Sequence, residues 1–274
     1  MTAPAKINLL DFTPAGARDQ LAVFFERVGQ PTYRAKQVAR RLWLNPAPSF
    51  EAMTELPAKV REQLAEAFEL PRLQVAARQK STDGTEKFLF RLPDGEAIET
   101  VAIPEGDRVT LCISSQAGCA LQCAFCATGA MGFSRNLSMF EIAGQVREMR
   151  MLQDAPINVT NIVFMGMGEP LMNWRAVDNV LTTLNDPDGL GIGARHITIS
   201  TVGILPGIIA LGERPEQFRL AISIHAPNDA LRQELMPINT KFPLKDVIEA
   251  AKVFDRRDGL LTQPLDVRDR RTGA

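Results

Sequence analysis

Cysteine is scarce in this chain: there are four among 274 residues, and all lie between positions 112 and 126. So tight a cluster does not staple distant segments, which excludes a disulfide framework and favours metal binding or redox chemistry. Histidine is scarcer still. His196 and His225 lie far from the cysteines, so the usual four-ligand set of a structural zinc site is not at hand. Long apolar runs are missing. The longest, 197–211, is interrupted by Gly203, Pro206 and Gly207, too short and too polar for a membrane span. The opening MTAPAKINLLDF lacks the apolar stretch of a secretory signal, so a cytoplasmic protein with no membrane partner is expected. Net charge is also nearly absent, at −1, which argues against indiscriminate coating of a polyanion.

What is present divides into segments. Residues 1–80 carry twelve Lys or Arg against eight acids, a net charge of +4 that by itself reads as a solvated helical surface, while a local basic patch for RNA stays open. The periodicity there is helical. Thr13 caps a helix with Pro14 at its first position, Leu21, Phe24, Phe25 and Val28 share a face, and Gly29 stops it. Further helices are predicted from Tyr33 to Trp43 and from Pro57 to about Phe68. Residues 81–107 then read as a β-hairpin connector, with strands Lys87–Leu92 and Ala97–Ile103 around an Asp94–Gly95 turn.

From 108 to 255 the pattern changes to strand followed by helix, repeated. Strands are predicted at Val109–Ser114, Thr160–Phe164, His196–Thr201 and Arg219–Ile224. The helices are Met139–Leu152 (Ser138 and Glu141 at capping-box spacing), Arg175–Leu184, Pro206–Gly212, Asp229–Leu235 and Leu244–Phe254. Repeated βα units specify a parallel sheet, open or closed into a barrel, and either places its chemistry at the carboxyl ends of strands. The charged, aromatic-poor stretch 256–274 reads as a disordered tail.

Chemistry-bearing residues do fall at those strand ends. After the first strand comes Gly118-Cys119-Ala-Leu-Gln-Cys123-Ala-Phe-Cys126, a C-x3-C-x2-C spacing. Three thiolates on one loop can hold three irons of a cubane and leave the fourth open to a ligand. After the second strand comes Met165-Gly-Met-Gly168-Glu169-Pro170. The third strand carries His196-Ile-Thr-Ile-Ser200-Thr, and the fourth leads into Ser223-Ile224-His225-Ala-Pro-Asn-Asp229.

With Cys112-Ile-Ser-Ser-Gln-Ala-Gly-Cys119 before the cluster motif, these segments resemble the RlmN and Cfr family of radical S-adenosylmethionine RNA methyltransferases, from about Leu21 to Phe254. The resemblance implies a partial parallel βα barrel of α/β class, preceded by a helical RNA-binding accessory domain and the hairpin. It implies that Cys119, Cys123 and Cys126 ligate a [4Fe-4S] cluster. Its open iron would chelate S-adenosylmethionine, and one electron would release a 5′-deoxyadenosyl radical. Gly168, Glu169, Ser200, Ser223, Ile224 and His225 would line the cofactor site, with Gly166 and Gly168 letting its polar end approach the backbone. Glu99 would be the proton acceptor, and Cys112 the resolving thiol that forms a disulfide. Lys36, Arg40 and Arg41 would meet phosphates, with Tyr33 or Trp43 for stacking, although Trp43 reads better as core.

The implied reaction is methylation of carbon 2 of adenine in 23S rRNA and in tRNA next to the anticodon, with an electron donor such as flavodoxin. Carbon 2 lies between two ring nitrogens and is electron-poor, so it does not attack a sulfonium methyl as a nucleophile; a radical route avoids that obstacle. The family also uses a distal methyl-carrying cysteine, an asparagine at the cofactor and two more strands. This sequence has no cysteine beyond Cys126, so a C-terminally truncated or frameshifted form that binds the cluster without completing methyl transfer is expected, with an exposed sheet edge. The competing expectations are a radical enzyme with another substrate and an inactive metal- or RNA-binding remnant.

Overall fold

The computed structural model describes residues 6–258. The expectation of a tail concerns residues mostly outside that range; its first three, 256–258, continue a helix. In chain order the strands are β1 (Ile7–Asn8), β2 (Phe68–Glu69), β3 (Gln74–Lys80), β4 (Glu86–Arg91), β5 (Ala97–Glu105), β6 (Arg108–Cys112), β7 (Gln116–Gly118), β8 (Phe133–Asn136), β9 (Asn161–Phe164), β10 (Ile197–Thr201) and β11 (Arg219–Ile222). The helices are α1 (Pro14–Arg27), α2 (Tyr33–Leu42), α3 (Ala58–Ala67), α4 (Ala127–Ala130), α5 (Met139–Arg150), α6 (Trp174–Asn185), α7 (Leu205–Gly212), α8 (Asp229–Leu235) and α9 (Leu244–Asp258).

One seven-stranded sheet dominates, in the order β11-β10-β9-β6-β5-β4-β3. The four predicted βα strands, β6, β9, β10 and β11, are mutually parallel. β5, β4 and β3 extend the same sheet antiparallel, so the hairpin is continuous with the parallel strands. β3 departs from the sequence reading, which left Gln74–Lys80 in the helical segment. All seven of its residues are exposed, so no buried face leaves the alternation that marks a strand.

The two faces of this sheet differ. Phe88, Phe90, Leu111, Ile162, Phe164, Ile197 and Ile199 are buried on one of them. The opposite face holds a row in register across the strands: Lys87, Val101, Cys112, Val163, Thr198 and Arg219, all partly or fully exposed. It is the inner face of a partial barrel.

α5 is covered on all sides rather than along one stripe, since Met139–Met149 are all buried. The predicted capping box starts it, with Ser138 accepting from Glu141 N–H and Glu141 accepting from Ser138 N–H at 2.8 Å. The N-terminal helices supply the second cover. Arg147, fully buried, donates from Nε to the Leu42 carbonyl at 2.9 Å and from its guanidinium to the Ala47 carbonyl. Glu148 holds Arg72 in a bidentate pair, and Asp11 accepts from Phe140 N–H at 2.9 Å. A periodicity read from α5 alone cannot reveal that a second layer packs there.

Candidate cluster and cofactor site

β6 ends at Cys112, and the chain then makes a small antiparallel hairpin, β7 with β8, that carries the cysteine loop. Its geometry depends on Gly118. That residue has φ +76, and a Cβ there would sit 2.0 Å from the Gly132 carbonyl oxygen, so no other residue fits. Cys119 N–H donates to that same oxygen at 2.8 Å, and Cys126 N–H donates to the Cys123 carbonyl at 3.0 Å. Gln122 takes a left-handed conformation, φ 51, to turn the loop between the first two cysteines.

Cys119 and Cys123 are buried and Cys126 is partly exposed. Burial raises the Cys119 thiol. Burial, then the neighbouring Cys119, Cys126 and Glu169, push Cys123 up to about 11. Cys119 and Cys123, crowded into a poorly solvated loop, resist ionisation unless a positive centre sits beside them. Among the described residues, no group of three or more His, Cys, Asp or Glu side chains is arranged to hold a single metal ion. A cubane presents its irons at separate corners and does not require three sulfurs to converge. The donor set therefore fits an iron–sulfur cluster bound by three thiolates. Phe125, Met131 and Phe133 are exposed around it.

The ends of β9, β10 and β11 lie at the same edge of the sheet. Gly168 has φ +95, and a Cβ there would stand 2.4 Å from Gln116 Cβ; at Gly166 it would meet the Ile113 carbonyl at 2.7 Å. Both glycines are thus already demanded by packing against the end of β6 and β7. Glu169 is buried, and it clamps two strand ends by accepting from Leu171 N–H at 3.1 Å and Val202 N–H at 2.9 Å. Burial lifts its carboxyl to about 7. Ser200 lies on the inner sheet face, two residues beyond Thr198. Ser223 leaves β11 with its N–H on the Thr201 carbonyl at 2.8 Å. After Ile224, His225 adopts φ 57, and its ring centroid is 4.2 Å from that of Phe125 in the cysteine loop.

The two residues assigned to methylation chemistry share that inner face. Cys112 lies opposite Val101, and Glu99 is two residues along β5 from Val101. The Glu99 carboxylate pairs with Lys87 at 2.9 Å and is 43% exposed, open to a ligand. Burial raises the Cys112 thiol, and a Met165 backbone hydrogen bond partly offsets this. All four cysteines are free, so the expected disulfide is not formed among the described residues. Trp43 is fully buried, as its core reading anticipated, while Tyr33 is 59% exposed. Arg40 and Arg41 pair with Asp188 and Glu55.

Sequence reasoning missed the polar network behind this face. Gln145 accepts from Thr100 Oγ1 at 2.7 Å and Ser114 N–H at 2.8 Å, and donates to the Ser114 carbonyl at 2.8 Å. Ser114 Oγ donates to the Glu99 carbonyl and accepts from Met167 N–H at 2.9 Å. A glutamine three residues after Ile142, on the stripe that faces the sheet, was the available signal.

A partial parallel barrel whose first strand leads into a three-cysteine loop, with a glycine-glutamate turn after the second, defines the radical S-adenosylmethionine class. Residues 113–261 match the family model described as "Radical SAM superfamily", and 7–70 match "Ribosomal RNA large subunit methyltransferase N-terminal domain". The chain is 68% identical over 250 residues to a probable dual-specificity RNA methyltransferase RlmN of Gemmatimonas aurantiaca, covering 91% of this chain and 69% of that one. It is 43% identical to a dual-specificity RNA methyltransferase RlmN of a Marinomonas species, covering 93% and 69%. A crystal structure of a radical SAM methyltransferase from Sphaerobacter thermophilus superposes with a TM-score of 0.85 at 40% identity, covering 93% of this chain and 74% of that one. The chain belongs to the RlmN family of radical S-adenosylmethionine methyltransferases, whose cofactors are a [4Fe-4S] cluster and S-adenosylmethionine.

Proposed function

We propose that this chain binds a [4Fe-4S] cluster through Cys119, Cys123 and Cys126 and S-adenosylmethionine beside it, to methylate carbon 2 of adenine in 23S rRNA and in tRNA next to the anticodon. The observation that carries the reading is that Glu99, Cys112 and Ser200 share the inner sheet face, at whose edge the cysteine loop sits. When bound, the cluster and its cofactor supply radical chemistry that can act on an electron-poor ring carbon. The protein's own residues do the rest. Gly168, Glu169, Ser200, Ser223, Ile224 and His225 position the cofactor at the strand ends. The Glu99 carboxylate, paired with Lys87, accepts the proton lost from carbon 2. Cys112 releases product by exchanging a bond to the protein for a disulfide with the methyl-carrying thiol.

That last step needs a cysteine beyond the four in this polypeptide, all of which already have a task. The 274 residues are therefore assigned the cluster, the cofactor and RNA. Residues 1–80 form its RNA-binding accessory domain, 81–107 the connector and 108–255 the catalytic partial barrel. A flavodoxin-like protein delivers electrons, and the setting is the cytoplasm.

Nucleoside mass spectrometry tests the reading. The purified chain, reconstituted anaerobically with iron, sulfide, reductant and S-adenosylmethionine, is expected to release 5′-deoxyadenosine. It is expected to leave unmodified 23S rRNA fragments and tRNA without 2-methyladenosine, because none of its four cysteines is left to carry the methyl. Failure to cleave the cofactor overturns the assignment, and 2-methyladenosine from the chain alone overturns the role given to the distal thiol.

A further inference from the structure

α8 and the turn after it cover the cysteine loop from the side of β11. Ala124 N–H, inside the C-x3-C-x2-C motif, donates to the Leu235 carbonyl at 2.9 Å. Met236 is fully buried in one apolar cluster with Cys119, Leu121 and Cys123. In the same layer lies Arg232, among the largest completely buried side chains of the molecule. Its guanidinium donates to Asn239 Oδ1 at 2.5 Å, the Phe242 carbonyl at 3.0 Å and the Val202 carbonyl at 2.5 Å. All three acceptors are neutral. Nε has no hydrogen-bond partner among the described residues, and no carboxylate forms an ion pair with the group. An arginine without a paired anion is rarely buried so fully, because removing the charge from water is costly.

The ionisable groups within its electrostatic reach are Asp229, one turn earlier on α8, and Cys123, which carries charge only as a thiolate. Asp229 is exposed and committed to Leu244 N–H at 2.8 Å, so its effect on Arg232 is screened by water. Glu169 shares Val202 with Arg232. The carboxylate accepts from Val202 N–H, and the guanidinium donates to its carbonyl. One buried cation and one buried acid thus meet at Val202, in the layer beside the cysteine loop.

We propose that Arg232 is the resident counter-charge of the cluster and sets its reduction potential. This rests on the reading of Cys119, Cys123 and Cys126 as cluster ligands. Three thiolates make the assembly anionic, and one-electron reduction by an external donor adds a further negative charge. A fixed cation in a poorly solvated layer beside the loop favours that reduced state over the oxidised one, so it raises the potential. Arg232 touches neither the cofactor nor RNA in this account and acts through the field it places on the cluster.

The test is an anaerobic redox titration of the reconstituted chain, followed by electron paramagnetic resonance, with iron and sulfide counted in each variant. Arg232→Met is expected to keep its cluster and shift to a more negative midpoint, while Arg232→Lys stays near wild type. An unmoved midpoint in Arg232→Met, or an equal shift in Arg232→Lys, overturns the proposal. Should Arg232→Met fail to assemble a cluster, Arg232→Gln decides. It keeps two of the donors and removes the charge, so its midpoint must also move to a more negative value; an unmoved midpoint overturns the proposal. A wild-type chain with neither iron nor sulfide sinks the cluster reading itself, which is a different failure.

Discussion

The Ser114 hydroxyl donates to the backbone carbonyl of Glu99 at 2.6 Å, joining the end of the first parallel strand to the strand that carries the proposed proton acceptor. The same oxygen accepts from Met167 N–H in the turn before Glu169, so one hydroxyl fixes both sides of the inner face. Ser114→Ala leaves a buried carbonyl and a buried N–H unmet. The expected loss is about 2 kcal/mol of unfolding free energy, read as a lower urea midpoint at an unchanged slope. A variant as stable as wild type would show that water or relaxation replaces the hydroxyl.

Arg147 ties the N-terminal helices to α5 through the Leu42 and Ala47 carbonyls. Replacing it with Met strands two buried acceptors, and the expected cost is about 3 kcal/mol. Hydrogen exchange should show the loss first in α2 and in 43–47, with β9 and β10 still protected. Uniform loosening of the whole chain would contradict this local assignment.

Gly118→Ala cannot be accommodated, because its Cβ would overlap the Gly132 carbonyl at a φ reserved for glycine. The variant is expected to take up less than half the wild-type iron on reconstitution while keeping its far-ultraviolet circular dichroism. Full iron uptake would mean that the hairpin tolerates a shift.

Glu169 gives the metal-free chain a pH dependence of definite sign. Its carboxyl is lifted to about 7 by burial, above the ordinary 4.5, so between those values the folded state binds more protons than the unfolded one. Stability from this group is complete below pH 4.5 and declines as pH rises through 7, by up to about 1.4 kcal/mol per pH unit. Glu169→Gln should flatten that slope in denaturant titrations between pH 5 and 7. An unchanged slope would assign it to other groups.

Much of this was legible in the sequence, for reasons visible in single residues. The parallel strands emerged because Ile162, Phe164, Ile197 and Ile199 are buried, and the cap on α5 because Ser138 and Glu141 must stand three apart. β3 was not legible, since none of its residues is buried. Nor was the second cover of α5, which depends on helices more than a hundred residues earlier. Gly166 and Gly168 were read as making room for a ligand, whereas Ile113 and Gln116 already occupy the space beside them. Arg232 gave no local signal, because a cation in a short polar helix looks solvated until the fold places Asn239, Phe242 and Val202 around it.

Iron and sulfide analysis of the anaerobically reconstituted chain tests the central claim most directly. Wild type should bind about four irons and four sulfides per chain, and Cys123→Ala should lose most of both. A wild-type chain that takes up neither, or a Cys123→Ala variant that keeps its full complement, would contradict the account.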